Sequence, residues 1–247
     1  MLFSRTSDTL HWNENLRAFS AWTLPLIVLF LLYRHTFDIW YREDDFPLVD
    51  FMRRQHSFRE FLAVAFIPYA QGTIRPLSER LPFFVSLRYF GLNCVPLRAL
   101  VSITACLDLL LINWITRRVT GSRIAGFVAP TLWAMSAAIV SPLTWNASYN
   151  VVQCPLFMLG ALALFILYCE SASWRFWFLQ FALFITGFLS LENIVVYPAI
   201  AVAWCLCFGK RQRRLSLIAS TVPMFAASLA YAALHIHIAV IPKRRPL

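Results

Sequence analysis

Glu43, Asp44 and Asp45 stand side by side, about ten residues beyond the first long apolar run. Three adjacent carboxylates repel one another, so at least one should hold its proton more tightly than a free aspartate unless a cation is near. Two readings fit these residues. One is a solvated acidic turn; the other is a general base that takes the proton of an acceptor hydroxyl as its oxygen attacks. Arg75-Pro76-Leu77 is the second feature. A guanidinium there can hold a phosphate through two parallel hydrogen bonds, or lie along apolar surface with its head among lipid headgroups. Glu192 is the third, an acid between two apolar runs. Such an acid is expensive in a bilayer and is a functional candidate; the plainer alternative is a carboxylate favoured by the dipole at a helix start. A divalent metal is only weakly expected, because one acidic cluster has no second ligand group to complete it.

The elements that must position these residues follow from composition. Apolar residues make up 60% of the 247 positions and charged residues 14%, with mean hydropathy +0.64. Soluble domains run at about 45–50% and about 25%, so a disordered chain, a collagen-like chain and a small disulfide scaffold are excluded. The six cysteines are scattered and form no framework; Cys205 and Cys207, like His235 and His237, are two apart and point to different helix faces. An all-α polytopic bundle of about seven spans is expected, at 18–33, 99–116, 124–140, 151–169, 176–191, 193–209 and 215–241. The first and fifth are short and call for flanking residues or a locally thin bilayer. No small-residue cleavage site follows the first, so it is read as an uncleaved anchor. Asp108 and Asn113 interrupt the second and should face the bundle interior.

The net charge of +10 reflects arginines and lysines between the spans, which indicates membrane topology and phospholipid contact rather than nucleic acid. With a cytoplasmic N-terminus, the cytoplasmic loops carry Arg117, Arg118, Arg123, Arg175, Lys210, Arg211, Arg213 and Arg214, whereas the short outer turns, at 141–150 and around Glu192, carry no lysine or arginine. Lys243-Arg244-Arg245 conflicts with seven full crossings, so the last segment stops short or more chain follows. The 34–98 segment then lies outside. It holds seven of the twelve acids and nine arginines, too long and too charged for a simple connector. Within it Phe61 to Tyr69, backed by Pro68, reads as a helix lying in the interface. Span counting alone puts Asp44, Asp45, Arg75 and Glu192 on one membrane face. Asn146-Ala147-Ser148 is a glycosylation sequon on that side, meaningful only in a eukaryotic secretory membrane.

The ordered set of motifs resembles the membrane glycosyltransferases of the GT-C class, in particular their protein O-mannosyltransferase-like members. After the first span come Asp44-Asp45-Phe46, Arg75-Pro76-Leu77, Tyr89-Phe90-Gly91-Leu92-Asn93, a second span, and Arg117-Arg118-Val119-Thr120-Gly121-Ser122-Arg123. Pro142 with Trp145, and Ser190 and Glu192 with Pro198, continue the pattern, so that the likeness runs over roughly residues 16–210. Leu191 stands where the family has a lysine, and Ser141-Pro142 where it has His-Pro.

The resemblance implies a sugar donor on polyprenyl phosphate, a glycan, lipid or protein acceptor, and transfer with inversion. It makes Asp44 or Asp45 the base, Asp44 favoured; Arg75 holds the donor phosphate, and Glu192 and Glu43 support the site. It implies no cofactor. The expected location is a bacterial inner membrane with the active face extracytoplasmic. Because the family has eleven or more spans, the chain is expected to be a front module, a split subunit or an inactive relative. The rival reading is a non-enzymatic membrane protein such as a transporter or assembly subunit. A transporter should place its essential polar groups near mid-membrane; here the acids gather in the outer loop.

Overall fold

The computed structural model describes residues 22–68 and 72–240, and these are helical throughout, with no strand among them. Residues 18–21 of the first expected span, Tyr69, and Ile241 with the basic residues after it lie outside the described residues. Helix α1 covers 22–33. The long loop then folds into α2 (Asp45–Arg53), α3 (Phe58–Ala65), a π-helical turn (Pro76–Arg80) and α4 (Leu81–Phe90). The apolar bundle follows as α5 (Val95–Thr120), α6 (Arg123–Ala134), α7 (Val140–Thr144), α8 (Asn150–Ser171), α9 (Trp174–Gly187), α10 (Tyr197–Phe208), α11 (Arg214–Ala219) and α12 (Val222–Val240).

Local chemistry sets most of these boundaries. Ser57 caps α3 by accepting the Glu60 N–H at 3.2 Å, and Glu60 reaches back to the His56 N–H at 2.7 Å. This is a variant of the capping box in which the return bond falls on the residue before the cap, and it holds the Glu60 carboxyl below its usual range. Helix α5 ends at Gly121, whose φ of +65° suits a residue without Cβ, and Ser122 caps α6 by accepting from Ala125 N at 3.2 Å.

Among the described residues, three helices are long and apolar enough to cross a membrane: Val95–Thr120, Asn146–Ser171 and Arg214–Ile238. A fourth crossing results if Arg123–Ala134 and Ala137–Thr144, bent by 53° at the Met135-Ser136 break, act together. Of the seven expected crossings, this measure supports three or four among the described residues. The stretch 124–140 is interrupted because Ser136 leaves the helix to cap the next turn, accepting from Ala138 N. Helix α9 has 14 residues, about 21 Å, which is short of a hydrocarbon core of about 30 Å. The Glu192–Phe208 segment is also a shorter apolar helix. The interfacial helix lies earlier than expected, at Phe58–Ala65, because the Ser57 cap starts it three residues before the apolar run.

Three apolar cores hold the fold. Val101, Ala105 and Leu109 of α5 pack with Leu29, Ala134 and Val152. Phe165, Phe184, Tyr197 and Met224 join α8, α9, α10 and α12. The third core belongs to the loop layer itself: Tyr41, Leu48, Met52, Phe61, Phe83 and Phe84 bury one another over the start of α5, with Phe61 and Phe84 stacked at 4.7 Å. Arg80, itself buried, closes the end of α3 by donating to the Val64 and Ile67 carbonyls.

Asp108 lies in the middle of α5, fully buried, and neither of its oxygens has a hydrogen-bond partner. An unsatisfied buried carboxyl costs more than an apolar group of its shape. Asp108→Leu is expected to stabilise the protein by about 1–3 kcal/mol, read as a higher unfolding midpoint in detergent, whereas Asp108→Asn, which leaves an unpartnered amide in the same place, should change it little. A lowered midpoint in both would mean that the carboxyl has a partner in the bilayer.

Candidate functional site

The turn at residues 42–45 separates the acidic triplet into different roles. Glu43 takes a left-handed conformation, φ +43°, and Asp44 stands at the N-cap position of α2 with its side chain exposed and no capping hydrogen bond. Asp45 turns inward and is fully buried. Its Oδ2 accepts from Arg42 N at 3.1 Å and from Asn146 Nδ2 at 3.3 Å, and its Oδ1 accepts from Ala147 N at 2.6 Å. Burial pushes its pKa up, opposed by these donors and by the nearby Arg98 cation. One carboxyl of the triplet is thus raised as expected, but desolvation rather than repulsion is the main cause.

Asp45 ties the loop to the 146–148 turn that leads into α8. Asn146 is consequently buried with its amide engaged, which overturns the reading of Asn146-Ala147-Ser148 as an accessible sequon. Arg98, fully buried, adds a second tie by donating to the carbonyls of Leu143 at 3.3 Å and Trp40 at 3.2 Å.

Arg75 and Glu192 meet although they are 117 residues apart. Arg75 Nη2 lies 2.8 Å from Glu192 Oε2, and Nε reaches both carboxylate oxygens at 3.1 and 3.2 Å. Nη1 binds Glu79 Oε1 at 2.8 Å, and Asn150 Nδ2 approaches the same oxygen at 3.5 Å. Burial works against the Arg75 cation, but the bonds and charges of Glu192 and Glu79 outweigh it and lift its pKa. Backbone bonds reinforce the docking: Leu77 N donates to Leu189 O at 3.0 Å and Ser78 Oγ to Ser190 O at 2.7 Å. The loop and the Glu192 turn therefore share one end of the bundle.

Glu79, Asn150 and Gln153 are residues of this cluster that sequence reasoning missed, and Asn146 entered it only as a sequon. Glu79 had a readable signal, since it lies four positions after Arg75 on what proves to be a helical turn. The others had none, because their partners are distant in sequence.

Beside this cluster opens a groove of about 390 Å³, walled by Leu77, Leu81, Val85, Phe90, Leu97 and Leu100. It is largely apolar, and Gln153, on its wall, donates to Leu77 O at 3.3 Å two residues from Arg75. An apolar groove lined by Leu77, two residues from a charged cluster, suits an amphiphile with an acidic head. Among the described residues no three metal-ligating side chains converge.

The Arg75–Glu192 pair is partly buried, each side chain about 21% exposed. Arg75→Gln and Glu192→Gln are each expected to destabilise by about 2 kcal/mol, and a double-mutant cycle should return a coupling of about 1–3 kcal/mol. Additive effects would show that the pair does not hold the loop in place. Comparison with known protein families, with curated proteins and with solved structures finds no match for this chain.

Proposed function

We propose that this protein is a membrane glycosyltransferase of the GT-C kind, moving a sugar from a polyprenyl-phosphate donor to the hydroxyl of a glycan, lipid or protein acceptor with inversion. Asp44 acts as the base, Arg75 holds the donor phosphate, and Glu192 and Glu43 support the site. The shorter α9 and α10 and the bent α6–α7 pair complete a seven-segment bundle in a locally thinned bilayer. The site faces the extracytoplasmic side of a bacterial inner membrane, by the charge bias of the opposite loops.

The observation that carries this reading is the Arg75 guanidinium, held by Glu192 and Glu79 two residues before Leu77, which lines an apolar groove. Of the five N–H bonds of a guanidinium, Nε and one on each Nη engage the two carboxylates. Two remain for a phosphate oxygen. The cluster carries one cation against two acids, so Glu79→Gln is expected to tighten donor binding severalfold, read as a lower KM for donor. The polyprenyl chain would lie in the groove, and Asp44, exposed and without a capping hydrogen bond, would take the proton.

The direct test is transfer of a labelled sugar from polyprenyl phosphate by the full chain in liposomes, wild type against Asp44→Asn and Asp45→Asn. Transfer that survives in Asp44→Asn removes the base assignment. A second reading, a transporter, is favoured by Asp108 alone, a buried acid at mid-span. Substrate flux that is lost in Asp108→Asn, with no sugar transfer, would select it.

A further inference from the structure

At the end of the bundle opposite the loop layer, a second cavity of about 290 Å³ opens between the ends of α5, α8 and α10. Arg98 and Arg118 mark the two ends on α5; they are 20 residues apart, or about 30 Å along the helix. Arg118, Lys210 and Arg213 stand around this cavity with Glu170 as the acid in its lining. Arg118 Nε binds Glu170 Oε1 at 2.8 Å, and Arg213 Nη1 donates to the Cys169 carbonyl at 3.2 Å. The Lys210 ammonium is exposed and has no partner among the described residues. The deeper wall is apolar: Trp204 and Phe208, with ring centroids 4.7 Å apart, face Ile166 and Leu217.

Three cations around one cavity repel, and a single carboxylate neutralises only one of them. A bound anion with several acceptor oxygens relieves that repulsion and accepts from lysine and arginine together. The apolar wall directly below suits a glycerol backbone and the start of an acyl chain. Basic pockets between membrane helices at a basic loop end are recognised sites for acidic lipid headgroups.

We infer that this cavity binds a phosphate ester, seated on Lys210 and Arg213 with Arg118 beside them and its glycerol side against Trp204 and Phe208. The site is about a bilayer thickness from the Arg75 cluster and does not depend on the transfer chemistry. Arg211 supplies the control, because it carries the same charge in the same loop but does not line the cavity.

The full chain in nanodiscs of phosphatidylcholine with a minor share of phosphatidylglycerol is released for native mass spectrometry, and retained lipid is counted. Wild type should keep phosphatidylglycerol in preference to phosphatidylcholine. Lys210→Gln, a change at an exposed position that leaves the fold intact, should cut that retention severalfold, and Lys210→Gln/Arg213→Gln about tenfold or more. Arg211→Gln should retain as wild type does. Equal loss in Arg211→Gln would reduce the effect to general attraction and overturn the site. A parallel arm measures thermal protection by glycerol 3-phosphate in nanodiscs of pure phosphatidylcholine. Protection lost in Lys210→Gln, without any lipid preference, assigns a soluble phosphate ester as the ligand. Absence of both lipid retention and protection would overturn the inference.

Discussion

Asp44→Asn is expected to lower sugar transfer by about 10²–10⁴-fold while leaving the unfolding midpoint unchanged. The magnitude is that of a general base lost from a reacting hydroxyl. The separation of activity from stability follows from the turn. Asp44 is exposed, accepts no capping hydrogen bond and sits where α2 begins. Exposed substitutions of this kind stay within about 0.5 kcal/mol. The substitution keeps size and polarity and removes only the proton-accepting charge. A fall in kcat with KM for the donor unchanged would assign the loss to the chemical step. Wild-type turnover would move the base elsewhere in the layer, and a shifted midpoint would mean that the side chain has a structural partner.

Asp45→Ala should act in the opposite manner, through the fold. Three donors lose their acceptor at once: Arg42 N, Ala147 N and the Asn146 amide. Arg98, fully buried, also loses its nearby anion. Leaving buried donors and a buried cation uncompensated costs about 3–5 kcal/mol, a large share of a total stability of about 5–15 kcal/mol. The lost tie joins the loop layer to the start of α8, so limited proteolysis should open 42–45 and 146–148 together. Asp45→Asn keeps the shape but turns one acceptor into a donor, and should cost less, about 1–3 kcal/mol. The pH dependence has a defined sign. Burial raises the folded pKa above that of the unfolded chain, so the contribution is fully present below the ordinary aspartate value of about 3.9. It is lost as pH rises through the folded value. Midpoints measured in acidic and neutral buffer should show this decline in wild type and not in Asp45→Asn. An unchanged midpoint in Asp45→Ala would mean that the three hydrogen bonds contribute nothing net.

The loop layer gives neighbouring carboxylates of one short acidic run opposite orientations. The left-handed Glu43 turns the chain so that successive carboxylates face opposite ways, one to the surface and one into the protein. The buried Asp45 thus fixes the turn through its three donors, while Asp44 remains exposed at the start of α2. The pair of Arg75 and Glu192 then fixes the far edge of the same layer against the turn before α10.

Hydropathy and charge, read from the sequence, determined the membrane class, the all-helical content and the grouping of Asp44, Asp45, Arg75 and Glu192 toward one end. These are short-range properties: an apolar run, a loop's net charge and a capping residue act within a few positions. Tertiary structure decided the rest. The length of an apolar run could not show that Ser136 interrupts 124–140 or that α9 stops at 14 residues, because helix ends depend on what the next segment packs against. The loop's own core draws on residues from Tyr41 to Leu97, and the burial of Asn146 and the inward turn of Asp45 rest on contacts 101 and 102 residues apart. Whether a carboxylate is solvated or desolvated is a property of the atoms around it, and those atoms come from Ala147, Asn146 and Arg98, which no local window contains.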